Sequence, residues 1–189
     1  MITWGISANS HDAALAVFDS KRRGLGTNTS LNLKFASHAE RFSGIKNDAH
    51  LNFKLIDYAK QWGEPNEVVW YERPFRKTLR QLRAGQGWNY SENNIKSYLK
   101  SYGITAPIKY TSHHRSHAAA GYYTSPFNDA TIVCIDSIGE FETLTVWEGK
   151  GKKLKQIYSQ GYPNSVGLWY SAMTQRIGLK PNEDEYILM

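Results

Sequence analysis

An α/β fold is predicted for this chain of 189 residues from the order of its apolar segments. The alternation of apolar and polar residues that is typical of strands occurs at 2–7, 13–19 and 31–36, and helical periodicity follows at 51–62. A second succession of strand-like and helix-like segments begins near residue 104. Strands and helices in this order indicate a sheet that is covered by helices.

The first half of the chain is predicted to open with a meander of three strands. A polar turn at residues 9–12 joins the first two of them. The helix over 51–62 ends at Gly63, because glycine and the nearby Pro65 terminate helices. Residues 67–71 are mostly β-branched or aromatic, which predicts a buried strand.

Four basic residues after that strand recur at spacings near one helical turn. This pattern indicates either a solvated helix face, which we favour, or a basic stripe that binds an anion. The four residues are Arg76, Lys77, Arg80 and Arg83.

The second half is predicted to contain several strands and two helices. One helix opens with a histidine-rich segment and runs to about Tyr123, and the other spans 165–177 and stops at Gly178. Residues 136–140 are predicted to form a connecting loop. The strands are predicted at 104–110, 130–135, 144–147 and 154–158.

The composition is that of a soluble, folded protein of single-domain size. Hydrophobic residues make up 41% and charged residues 21%, which is ordinary for a globular chain. No apolar run approaches the roughly 18 residues of a membrane-spanning helix, and the N-terminus lacks the pattern of a signal peptide. A cytoplasmic protein is therefore predicted. The formal net charge of +6 favours anionic partners such as nucleotides or nucleic acid.

The single cysteine, Cys134, lies within an apolar strand segment. A small, buried side chain is the expected role of such a residue. One cysteine excludes a disulfide framework within the chain.

Three of the six histidines fall within five positions, and the most informative pair is His113 and His117. On a helix these two side chains lie one turn apart on the same face. Together with a carboxylate such as Asp136, they could hold iron, zinc or manganese. The alternative is a helix start with hydrogen-bonded histidines. His11 is a further candidate, although a histidine in a turn commonly serves a local hydrogen bond.

The segment that begins at Asp136 could contact phosphate. It contains one glycine and two acids, and backbone amides approach a phosphate closely where side chains are absent. An ordinary hairpin turn is the alternative interpretation.

Taken together, these segments resemble the O-carbamoyltransferase family that modifies nodulation factors and aminoglycoside or cephalosporin-type antibiotics. The motifs occur in the same order and span nearly the whole chain. They are Gly5-Ile6 with His11-Asp12-Ala13-Ala14, Glu40-Arg41-Phe42-Ser43 with Lys46 and Asp48, Tyr71-Glu72-Arg73-Pro74, His113-His114-Arg115-Ser116-His117-Ala118, Ser125-Pro126-Phe127, Asp136 to Glu140, and Asn164-Ser165 to Tyr170-Ser171.

The resemblance implies an actin-like ATPase (ribonuclease H-like) fold, with residues 1–189 as the N-terminal part of a two-lobed transfer domain. It implies transfer of a carbamoyl group to an acceptor hydroxyl from a carbamoyl-adenylate, which is made from carbamoyl phosphate and ATP. The implied metal, most readily iron, has His113, His117 and Asp136 as its ligands.

The resemblance also implies roles for residues near the reacting groups. His11 and Asp136 would be catalytic. The cofactor-binding residues, which would contact ATP or the carbamoyl-adenylate, would be Asp12, Ser137, Gly139 and Glu140.

Two features depart from the family pattern. Ser137 stands where an Asp-Gly-x-Gly-Glu loop usually has glycine, and its side chain could crowd a phosphate. Family members also continue through a second half and a YrdC-like domain, so a complementing subunit is an expected partner. Two alternatives stay open, namely an enzyme similar to tRNA threonylcarbamoyl transferases and a non-catalytic half-domain that binds a nucleotide or a partner.

Overall fold

The computed structural model describes residues 1–10, 12–22, 29–88, 90–91, 93–181 and 183–188. The chain packs as two units, Met1–Thr111 and Ser112–Met189. Each unit contains its own sheet, so the predicted mixture of strands and helices is confirmed.

The first unit is built on a five-stranded mixed sheet with the strand order β3-β2-β1-β4-β5. The three-strand meander at its start is confirmed, because β1, β2 and β3 pair antiparallel. The strands β4 and β5 then add to β1 in parallel. The elements are β1 (Ile2–Ser7), β2 (Ala14–Arg22), β3 (Thr29–His38), α1 (Glu40–Ser43), α2 (Phe53–Lys60), β4 (Glu67–Trp70), α3 (Pro74–Arg83), α4 (Ile95–Ser101) and β5 (Ile108–Tyr110).

The core of the first unit lies between this sheet and α2. Trp4 on β1 and Trp70 on β4 are fully buried, and so are Leu55 and Ile56 on α2. The alternating burial of β1 and β4 follows from their two-residue periodicity. Burial of these large apolar side chains is the main stabilising contribution to the unit.

Two features of the first unit differ from the sequence prediction. The helix α4 was not predicted, although Ile95, Tyr98, Leu99 and Tyr102 follow the i, i+3, i+4, i+7 spacing of an amphipathic helix and pack in the core. The strand β5 begins at Ile108 rather than at residue 104, since the amide of Ile104 donates to the Leu99 carbonyl (3.0 Å) and thereby closes α4.

The second unit consists of a three-stranded antiparallel sheet, with the order β6-β7-β8, and three helices. The first helix begins at His113 and ends at Tyr123, as predicted. The predicted loop at 136–140 is wrong in part, because β6 continues through Gly139 with an irregular register after Ile135. The elements are α5 (His113–Tyr123), β6 (Asp129–Gly139), β7 (Glu142–Lys150), β8 (Lys153–Gly161), α6 (Val166–Arg176) and α7 (Glu185–Leu188).

A small core joins α5 to β6 and β7. It contains Ala118, Cys134 and Trp147, all of which are buried. The prediction of a buried Cys134 is confirmed, and burial raises the pKa of its thiol. Among the described residues, no helix has both the length and the apolar character needed to cross a bilayer.

We expect Asn52→Ala to lower the free energy of unfolding by more than the matched variant Asn94→Ala. Both asparagines cap a helix, since Asn52 accepts from the Leu55 amide (2.9 Å) and Asn94 accepts from the Ser97 amide (3.1 Å). Loss of a cap costs about 1 kcal/mol. Asn52 also donates to the Ala39 carbonyl (3.0 Å), which ties α2 to α1. Urea unfolding measures both effects, and equal losses would contradict a role for this second bond.

Candidate metal centre

The rotation of α5 about its own axis decides where its histidines lie. Its buried face is formed by His114, Ala118 and Tyr122, which follow one another every four residues. Gly149 on β7 leaves room for the Tyr122 ring, because a Cβ there would lie 2.6 Å from the ring. The tyrosine hydroxyl donates to the carbonyl groups of Asn128 and Gly151. These contacts lock the helix against the sheet.

The middle histidine of the cluster is a packing residue. His114 is fully buried, and its Nδ1 lies 2.9 Å from the Thr145 hydroxyl. The same hydroxyl accepts from the Trp147 indole (2.8 Å). Burial lowers the pKa of His114, which favours the neutral imidazole. His114 therefore supports the structure of the unit.

Because His114 points into the core, His113 and His117 lie together on an adjacent face of α5. Their ring centroids are 4.8 Å apart and their Nε2 atoms are 3.0 Å apart. Asp136 on β6 approaches the pair, with its Oδ2 2.9 Å from the Nε2 of His113 and 3.8 Å from that of His117. One ligand atom from each of the three side chains thus converges on the same point.

The geometry fits a divalent metal ion. Metal–nitrogen and metal–oxygen bonds near 2.0–2.2 Å place neighbouring ligand atoms about 3 Å apart. The three ligand atoms all lie within 4.8 Å of one another. Within the part of the chain that the structure describes, no other group of three histidine, cysteine or acidic side chains has this arrangement.

Asp136 is held as a carboxylate. Its Oδ1 accepts from the amide of Ser137 (2.7 Å) and its Oδ2 faces His113. The hydrogen bond with His113 and its charge outweigh the effect of burial and lower the pKa of Asp136 to about 2. The carboxylate is therefore ionised throughout the neutral range, as a metal ligand must be.

The end of β6 packs against the imidazole of His113. A Cβ on Gly139 would lie 2.7 Å from the Cγ of His113 and 3.0 Å from the Cδ2 of His114. Glu140 follows with a φ of 51°, and its side chain is buried. Glycine is thus required at 139 by the close approach of the ring. Sequence reasoning had considered this glycine only as a phosphate contact.

Ser137 is tied to the N-terminus of α6. Its carbonyl accepts from the Ser165 hydroxyl (2.7 Å), and Ser165 in turn caps α6 by accepting from the Leu168 amide (3.1 Å). Gly167 accommodates the contact, since a Cβ there would lie 2.7 Å from both the Cα and the Oγ of Ser137. Ser137 stands where the family motif usually has glycine, and the absence of a side chain at Gly167 on α6 leaves room for it.

A shallow cavity of about 360 Å³ lies beside this junction. Asp136 and Ser137 line it on the β6 side, while Gly167, Trp169 and Tyr170 line it on the α6 side. The metal-ligand cluster, which consists of His113, His117 and Asp136, therefore borders an open space of small-molecule size through Asp136.

The remaining predicted site residues belong to the first unit. Asp12 lies in the turn between β1 and β2 with a φ of 55°, and Asn9 in the same turn has a φ of 62°. His11 lies outside the described residues.

The basic stripe proved to be only partly a solvated face. Lys77 is buried rather than exposed, which corrects the interpretation that we favoured from the sequence. Its Nζ donates to Glu72 (2.7 Å) and to the Asn9 carbonyl (3.0 Å). The helical spacing alone did not indicate this burial, because the Asn9 carbonyl is 68 positions away in the sequence.

The chain is similar in sequence to several uncharacterized proteins. An uncharacterized protein of Synechocystis is 32% identical over 98% of this chain and 33% of its own length. Two uncharacterized proteins of Methanocaldococcus jannaschii are 26% identical over 80% of the chain and 27% identical over 49% of it. The chain spans only 27% and 19% of the lengths of these two relatives.

The family comparison covers more than half of the chain. Residues 70–189 match the family described as carbamoyltransferase N-terminus. The matched region contains α5, β6 and the turn after β6, and therefore all three residues of the metal-ligand cluster. The resemblance that the ordered motifs indicated is confirmed, and the chain belongs to the carbamoyltransferase N-terminus family.

Proposed function

We propose that this chain contributes the metal-binding part of an active site for O-carbamoyl transfer. The observation that carries the proposal is the convergence of His113 Nε2, His117 Nε2 and Asp136 Oδ2. Membership of a carbamoyltransferase family supports the class of reaction. The actin-like ATPase fold is part of the same proposal.

The proposed donor is a carbamoyl-adenylate made from carbamoyl phosphate and ATP. The oxygen of an acceptor hydroxyl attacks the carbamoyl carbon, and the bond from that carbon to the adenylate oxygen breaks. The products are a carbamoylated acceptor and AMP, and the hydroxyl proton is released to a base. We propose His11 as a catalytic residue at the reaction centre.

Two imidazoles and one carboxylate form a ligand set that suits iron, zinc or manganese, and we propose iron. A bound metal would neutralise phosphate charge and polarise the carbonyl under attack. Asp136 supplies the negative charge of the set, because its lowered pKa keeps it ionised. The ring of His113 is held in place by Gly139 and by Asp136.

The turn after β6 is proposed to contact the phosphate of the adenylate. Ser137 and Gly139 at the end of β6, together with Glu140, are the proposed contacts, and Glu140 has a left-handed backbone conformation and a buried side chain. Asp12 is proposed as a further contact to the nucleotide. The chain covers at most a third of its curated relatives, so we propose that transfer also requires a complementing segment or subunit.

We expect His113→Ala and His117→Ala each to weaken metal binding by more than about a hundredfold. Loss of a residue that only supports a metal ligand already lowers metal affinity by about 10–100-fold. His38→Ala is the matched control, because His38 is exposed on β3. Titration with Co²⁺, followed by its visible absorption, and with Fe²⁺ under anaerobic conditions measures the affinity. Unchanged metal affinity in both cluster variants would refute the ligand assignment.

Gly139→Ala is expected to weaken metal binding by roughly tenfold or more, because the new methyl group displaces the His113 ring. Gly121→Ala is the control on the same helix as His113. Its Cβ would meet no atom within 4 Å, and alanine favours the helix. Metal affinity and thermal unfolding are measured together. A variant that keeps wild-type affinity would show that the glycine does not position the histidine.

The proposed function is tested by ATP binding to the metal-loaded chain in a calorimeter. We expect the wild-type chain to bind ATP and His117→Ala to bind it at least about tenfold more weakly, because the metal that His117 helps to hold would offset the phosphate charge. Equal affinity with and without the metal would contradict a nucleotide site at this cluster. Transfer itself is assayed with carbamoyl phosphate, ATP and a panel of hydroxyl acceptors, with a mass gain of one carbamoyl group as the readout.

A further inference from the structure

The outer edge of the first unit's sheet is open along β5. In the part of the chain that the structure describes, β5 pairs only with β4. The Pro107 carbonyl accepts from Val68 (2.9 Å) and the Thr111 amide donates to Trp70 (3.1 Å), so these groups face β4. Because successive residues of a strand direct their polar groups to opposite sides, Ile108 and Tyr110 present theirs to the outer edge.

Two cavities lie on one face of this edge. The side chains of Ile108 and Tyr110 share that face, whereas Lys109 points to the other face and pairs with Glu67 (2.6 Å). A cavity of about 580 Å³ lies between α4 and β5, and a second of about 390 Å³ adjoins Phe75 and Tyr90. Tyr110 lines both. We call the edge and these two cavities the β5 groove.

The groove is cationic. Lys96 and Lys100, one turn apart on α4, line the larger cavity, and Arg73 lines the smaller one. None of the described lining residues is acidic. Exposed aromatic side chains at Phe75 and Tyr90 add apolar contact area.

We propose that the β5 groove binds an extended acidic segment of a separate protein, which adds to β5 as a further strand. Hydrogen bonds to the outward groups of Ile108 and Tyr110 give the affinity, and the alternate side chains enter the two cavities. Carboxylates on these side chains meet Lys96, Lys100 and Arg73. The proposal uses residues of the first unit alone and does not rest on the proposed carbamoyl transfer.

The acidic segment at residues 183–185 already forms hydrogen bonds and an ion pair within the second unit. Asp184 accepts from the Lys180 amide (2.8 Å), Glu183 pairs with the Lys180 ammonium (2.6 Å), and Glu185 accepts from Ser171 (3.1 Å). The cationic lining of the groove favours an acidic occupant, and we assign that role to a separate protein.

The test uses an acetylated and amidated peptide of alternating glutamate and valine, titrated into the ¹⁵N-labelled chain. We expect the amide resonances of Ile108 and Tyr110 to shift. The affinity for a peptide of alternating lysine and valine should be lower by about tenfold or more, because the groove is cationic. No shift with the acidic peptide, or equal binding of the basic one, would overturn the proposal.

The hydrogen bonds are tested by N-methylation of the peptide. Only one alternate set of its amides can face β5, so methylation of that set should abolish binding and methylation of the other set should preserve it. Equal tolerance of both would exclude strand addition.

The charges are tested by reversal on the protein. Lys96→Glu with Lys100→Glu should weaken binding about tenfold or more. The matched control reverses Lys34 and Lys54, which are exposed elsewhere in the same unit. An equal loss of peptide affinity in both double variants would show that only the net charge of the chain matters, and it would overturn the assigned binding site.

Discussion

The packing of α5 against β6 and β7 is the contact on which the metal centre depends. His114, Ala118 and Tyr122 enter the core, and this choice of buried face leaves His113 and His117 beside Asp136. A helix rotated by one residue would bury a ligand and expose His114. The energy that holds the ligands in place is thus largely supplied by apolar and aromatic burial in the same unit.

The first unit uses a buried charge to fix the turn that carries Asp12. Lys77 reaches from α3 to the carbonyl of Asn9 and pairs with Glu72. Loss of one partner from a buried ion pair commonly destabilises a protein by about 3–5 kcal/mol. The geometry of this turn therefore depends on a helix that is distant in sequence, and the basic residues of α3 have unequal roles.

Much of this arrangement could be read from local pattern, and the parts that could not depend on tertiary contacts. The pair His113 and His117 follows from helical spacing, and Asp136 follows from its place after an apolar strand segment. The burial of Lys77 could not be foreseen, since it depends on the Asn9 carbonyl, which is 68 positions away in the sequence. The requirement for Gly139 is equally non-local, because an imidazole from α5 fills the space that a side chain would need. The helix α4 is a local signal that the prediction missed, because Ile95, Tyr98, Leu99 and Tyr102 follow helical spacing.

The three side chains of the candidate metal centre are close in sequence as well as in space, because His113 and Asp136 are only 23 positions apart. Closing so short a loop costs little conformational entropy, and contacts of low sequence separation form early in folding. A nascent chain that has formed only α5, β6 and β7 would already hold all three groups. The arrangement of these three side chains is therefore set within one short stretch of the chain, α5 to β7, and does not depend on the segments that follow.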